Sequence, residues 1–156
     1  MKIFIFILTF FLFAALTKDL SIVSVGKATI EKENLLVKKP FIYGLQNEQK
    51  KSIEEIHRII INDLLFYKKR FNLKSDEYSE VWKKEPPFEK FKEFGLDFVV
   101  RLEFSKSDLN ASEIKYEIKL FSIRNQKLAF ERKGTFKNQD IRNTAHSFSD
   151  QLYTAI

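Results

Sequence analysis

The sequence predicts an α/β domain of the α+β kind: a mixed, roughly five-stranded sheet with two long helices and one short helix packed on it. Three observations carry that prediction. Apolar residues recur at three- and four-residue steps in Asn47–Phe66 and again in Asn138–Ile156, which is the helical period. Ile114, Tyr116, Ile118 and Leu120 alternate with Lys115, Glu117 and Lys119, which is the period of a strand. Strands come first, then helices, then a run of strands and a closing helix, and such an order folds as helices covering a mixed sheet.

Leu20–Val25, rich in β-branched and apolar residues, reads as a first strand. Leu35-Leu36-Val37 heads a second strand running on to Tyr43, with Pro40 restricting it to an end or edge because proline lacks an N–H. In the first long helix Ile53, Ile56, Ile60, Leu64 and Tyr67 form one face, widened by Ile59, Ile61 and Leu65. Asn47 is the expected cap, and Ser52 with Glu55 has the spacing of a capping box. Arg70–Lys74 reads as a short strand, while Asp76–Lys84 is polar and fits no element. Pro86-Pro87 opens a short helix whose Phe88, Phe91 and Phe94 share a face, and Gly95 stops it. Leu96–Phe104, with Phe98-Val99-Val100 at its heart, reads as a central strand covered on both faces. Ile114–Ile123 and Leu128–Phe136 form a hairpin about Arg124–Lys127. Asn138 or Asp140 caps the closing helix, which buries Ile141, Ala145, Phe148 and Leu152. That helix is still apolar at Ala155-Ile156 with no glycine stop, the pattern of a chain that continues.

The 156 residues suffice for one domain. With 44% hydrophobic and 31% charged residues the chain can bury a core, which excludes wholesale disorder. The absence of cysteine excludes disulfides, thiolate metal sites and cysteine nucleophiles together. The net charge of +6 is spread among interleaved acids and bases, so it describes a solvated surface rather than a nucleic-acid footprint. Met1-Lys2 followed by the apolar run Ile3–Leu16 has the layout of a secretory signal. At about 14 residues the run falls short of the about 20 that a bilayer span requires. Cleavage is expected near Ala15–Thr17, leaving a domain over 18–156. If the run stays attached, the chain is instead a membrane-tethered or stand-alone periplasmic ligand-binding domain.

No motif for catalysis or for a cofactor is legible. His57 and His146 are the two histidines, neither has a second one four residues on, and the four glycines are scattered. The sequence therefore predicts a non-enzymatic domain with no cofactor and no metal.

Three segments, in order, resemble the amino-terminal domain of the TolB family. Val25-Gly26-Lys27-Ala28, followed by Leu35 to Phe41, resembles that family's early strands. Phe91 to Val100 resembles its aromatic position, Gly-x-Asp and apolar strand. Arg142-Asn143-Thr144-Ala145-His146-Ser147-Phe148-Ser149-Asp150 resembles its Arg-x-x-Ala-His-x-x-(Ser/Ala)-Asp pattern. Asn62-Asp63-Leu64 resembles the first helix, although Leu65 to Arg70 replaces the family's Ser-Gly type of stop. The family's six-bladed propeller has no counterpart here.

The resemblance implies a periplasmic protein of the Tol-Pal system, which serves envelope integrity and cell division. It also implies that the mature amino-terminal segment, through Leu20, Ile22, Val23 and Val25, binds a TolA-like protein by strand addition. The same segment is alternatively this domain's own edge strand. Pal-like proteins are further partners, though that contact belongs mainly to the propeller. Arg142, His146 and Asp150, at i, i+4 and i+8, form one helical stripe, read as a domain interface or alternatively as a plain solvent face.

Overall fold

The structure, a computed structural model, describes residues 31–67, 69–74, 76, 82, 85–108, 110 and 112–156. The expected signal at 1–17 and the expected strand Leu20–Val25 lie outside the described residues. The element order is β1 (Glu33–Val37), β2 (Phe41–Tyr43), α1 (Asn47–Phe66), β3 (Phe71–Lys74), α2 (Phe88–Glu93), β4 (Phe98–Lys106), β5 (Glu113–Ser122), β6 (Lys127–Lys137) and α3 (Ile141–Ala155). The expected fold class holds: one mixed sheet, here of six strands, with two long helices and a short one.

The sheet runs β3-β1-β4-β5-β6. β1 pairs in parallel with β3 on one side and β4 on the other, and β4-β5-β6 is an antiparallel meander. The crossovers β1-α1-β3 and β3-α2-β4 travel in opposite directions across β1. A common right-handed connection therefore carries their helices to opposite faces. β2 lies on the same edge of β4 as β1, with Leu35–Val37 opposite Phe98–Val100 and Phe41–Tyr43 opposite Glu103–Ser105. The single strand expected over Leu35–Tyr43 is thus broken at Lys38–Pro40, where proline cannot donate to the ladder.

Alternation divides the side chains between two cores. Leu35 and Val37, Val100, Leu102 and Phe104, and Ile114, Tyr116, Ile118 and Leu120 face α1 and α3. They meet Ile53, Ile56, Ile60 and Leu64 of α1 and Ala145, Phe148 and Leu152 of α3. Leu36, Val99 and Phe121 face the other way and form a smaller core with Phe91, Leu96, Ile123 and Trp82. β4 is therefore covered on both faces as far as Arg101, which is itself buried, and beyond it the second face carries the partly buried Glu103. Trp82, which the sequence leaves in a polar stretch without an element, is buried and supplies the second core's indole.

The helix ends differ from expectation in detail. α1 is opened by Gln46, not Asn47: the Gln46 N–H donates to Gln49 Oε1 at 3.1 Å. Ser52 is inside the helix and donates to the Glu48 carbonyl at 3.2 Å. α3 follows a short 3-10 turn at Asn138–Asp140, and neither Asn138 nor Asp140 makes a side-chain cap bond. Phe94 is exposed rather than sharing the buried face of Phe91, because α2 has already ended. Gly95 follows at φ +66°, the left-handed stop that the sequence indicates.

Candidate interaction surfaces

α3 lies between α1 and the meander. Tyr116 of β5 packs on Phe148 with ring centroids 4.7 Å apart, and this fixes the rotation of α3. With Ala145, Phe148 and Leu152 turned inward, the expected stripe is turned outward: Arg142, His146 and Asp150 are all exposed. The stripe does not act as one unit. His146 Nδ1 lies 2.8 Å from Asp63 Oδ2 of α1, so His146 bridges the two helices. Arg142 lies on the same side, where its charge helps hold the Glu55 carboxyl below its ordinary value, after the larger effect of the Glu55–Arg58 hydrogen bond. Asp150 has turned away and lines a shallow groove beside β6 with Phe130, Gln151, Thr154 and Ala155. The helical rotation of 100° per residue explains the drift, because four residues overshoot a full turn by about 40°. Leu20, Ile22, Val23 and Val25 lie outside the described residues.

The far ends of α1 and α3 are locked to β3. Tyr67 stacks on Tyr153 with centroids 4.1 Å apart. The Arg70 guanidinium lies 4.9 Å from the Tyr153 ring centroid, and Arg70 Nη1 donates to the Tyr153 carbonyl at 3.3 Å. This aromatic and cationic lock closes the end of α1 against α3.

On the opposite face the sheet exposes charge. Glu117 accepts from Lys119 at 2.6 Å and from Lys133 at 3.0 Å, and Glu131 lies 3.6 Å from Lys119 and 3.3 Å from Lys133. Partial burial pushes the Glu117 carboxyl up, but hydrogen bonds from Lys119 and Lys133 outweigh it and hold it down at about 2. The same contacts, with Glu117 first, raise Lys133. The four charges are a closed cross-strand set.

Arg101 is buried at the inner end of this face. Its guanidinium lies 4.4 Å from the Phe41 ring centroid and 5.4 Å from that of Trp82. One nitrogen donates to the Trp82 carbonyl. Nε lies 2.6 Å from Glu103 Oε1 at an angle that makes an ion contact and not a hydrogen bond. Nearby, buried Lys38 meets Asp76 at 2.7 Å, and Asp76 also accepts from the Lys39 N–H at 2.8 Å. These groups tie Asp76 to the end of β1 and Trp82 to the middle of β4. No local pattern announces them, since lone charges in strands ordinarily read as surface.

His57, the second histidine, sits half-buried on α1 with Nε2 hidden and unpartnered. Burial lowers its pKa, against smaller raising effects from the Val37 backbone and Asp76. Among the described residues no cluster of three or more His, Asp or Glu is placed to hold a metal. No described helix is long and apolar enough to cross a membrane.

No protein-family model matches the chain, and no curated protein matches it. Among solved structures, TolB from Acinetobacter baumannii aligns at a TM-score of 0.62 and 16% identity over 80% of this chain. This chain has a TolB-like fold. The alignment covers 28% of that TolB chain, so the likeness concerns a minor part of the longer protein. A PelC dodecamer from Paraburkholderia phytofirmans aligns at a TM-score of 0.50 and 11% identity, over 81% of this chain and 89% of that one. At these identities the likeness is one of fold.

Proposed function

We propose that this chain is a non-catalytic interaction domain of TolB type, acting in the bacterial periplasm as part of a Tol-Pal system. The observation that carries the reading is the fold likeness to TolB over 80% of the chain. It coincides with three TolB-like motifs in the same order along the sequence. In this reading Leu20, Ile22, Val23 and Val25 bind a TolA-like protein by adding a strand to its sheet. The exposed Arg142–His146 side of α3, braced by Asp63, serves as a second contact, toward a further domain. Alternating apolar residues supply the pockets' side chains, and backbone amides supply most of the affinity.

The deciding experiment is isothermal titration of chain 18–156 and of chain 27–156 with the periplasmic carboxy-terminal domain of TolA from the same cell. The longer chain is expected to bind with micromolar affinity and the shorter one not to bind. Absence of heat from the longer chain, or equal binding by the shorter, refutes the reading. Amino-terminal sequencing of the exported product addresses the signal. A start near Lys18 supports a released periplasmic protein, and a start at Met1 supports the tethered alternative.

A further inference from the structure

We propose that the outer edge of β6, with the groove between β6 and α3, is a docking site for an extended acidic segment of a partner protein. β6 ends the sheet, and among the described residues nothing pairs with its outer side. From Phe130 to Lys137 it pairs with β5 in continuous register, so its backbone is held straight and ready to accept another strand. The irregularity lies before that stretch. Leu120 faces Phe130 while Phe121 faces Leu128, leaving Ala129 as the extra residue of a bulge.

The groove lies on the helix side of this edge. It has a volume of about 360 Å³ and is lined by Phe130, Asp150, Gln151, Thr154 and Ala155. Phe130 is only partly buried, so its ring forms an apolar floor. Two residues along, on the same face, stands Arg132, which is exposed and forms no ion pair among the described residues. An added strand would therefore set an apolar side chain over Phe130 and a carboxylate against Arg132, in an apolar-x-acidic pattern.

Charge selects the occupant. β6 carries Lys127, Arg132, Lys133 and Lys137 against the single acid Glu131. Basic edges keep a sheet from pairing with itself, because a second copy sets cations against cations. This chain's own Leu20–Val25 has no acidic residue to offer. Lys133 is already held by Glu117 and Glu131, and Asp150 stands on the α3 side of the groove, so Arg132 with Lys127 and Lys137 at the two ends of β6 are the cations that an acidic strand of another protein would meet.

The test selects a phage library of random dodecapeptides against chain 18–156, followed by nuclear magnetic resonance shift mapping with the enriched peptides. Enriched sequences are expected to alternate apolar and acidic residues and to shift amides of Phe130–Phe136 and Gln151–Ala155. Arg132→Glu should weaken binding by about tenfold or more, and Arg132→Lys should retain most of it. Both changes are at an exposed side chain, so the fold is preserved. The proposal is overturned by a selection without enrichment, by neutral or basic consensus sequences, by shifts at β3 instead, or by equal binding to Arg132→Glu. A dimer in sedimentation with β6 amides protected from exchange also overturns it, in favour of self-pairing.

Discussion

Gly134 has no side chain because Tyr116 occupies the space. A Cβ built there would lie 2.8 Å from the Tyr116 hydroxyl oxygen, 2.9 Å from Cζ and 3.0 Å from Cε1. Ordinary contacts between such atoms are about 3.5–4.0 Å, so Gly134→Ala forces the ring to move by roughly half an ångström or more. Its retreat is blocked. Phe148 of α3 lies 4.7 Å away between ring centroids and Phe136 lies 6.2 Å away. Overpacking of this kind costs about 1–3 kcal/mol. The loss of glycine freedom in the unfolded chain offsets about 0.4–1 kcal/mol. The net expectation is a destabilisation of about 1–2 kcal/mol, or about 3–8 °C in melting temperature for a domain of this size. Urea unfolding followed by circular dichroism measures it. Tyr116→Phe removes the atom of closest approach, so Gly134→Ala should cost less in that background, with a coupling of about 0.5–1 kcal/mol. If Gly134→Ala unfolds at or above the wild-type midpoint, the packing argument for β6 against Tyr116 and α3 is wrong.

Arg101→Ala removes a buried cation from between Phe41 and Trp82 and strands Glu103. A loss of about 3 kcal/mol is expected, read by chemical denaturation, with a smaller loss for Arg101→Met, which keeps the stem's packing. Glu117 is held at about 2 in the fold against an ordinary 4.5, so its contribution is complete above about pH 4.5 and is lost as pH falls toward 2. Unfolding midpoints measured across that window should fall less steeply for Glu117→Gln than for the wild type. His57 is depressed below its ordinary 6.5 by burial, so the fold favours the neutral ring and loses stability as pH drops below about 6.5. His57→Leu should flatten the stability profile below about pH 6.5, and an unchanged profile would remove His57 from the account.

Periodicity alone located the two long helices, the hairpin and the inward stripe of Ala145, Phe148 and Leu152. Each of these is a local pattern repeated over many residues, so single errors average out. The sequence also placed the left-handed stop at Gly95, because backbone geometry there is dictated by one residue. Other features depended on chain segments far apart in sequence. The joining of β1 and β2 along one edge of β4, the burial of Trp82 within a polar stretch and the enclosure of Arg101 between two rings have no local signature. Their stability comes from contacts made only when β4 arrives beside β1. The same holds for the stripe on α3. Its helical spacing was legible in the chain, but the pairing of His146 with Asp63 and the turning of Asp150 toward β6 were decided by where α1 and the sheet edge lie. Sequence by itself determined which faces must be buried, because burial follows hydrophobic period. Only the tertiary structure decided which charges meet, because a charged side chain's partner is chosen by proximity in space and leaves no trace in the spacing of its neighbours.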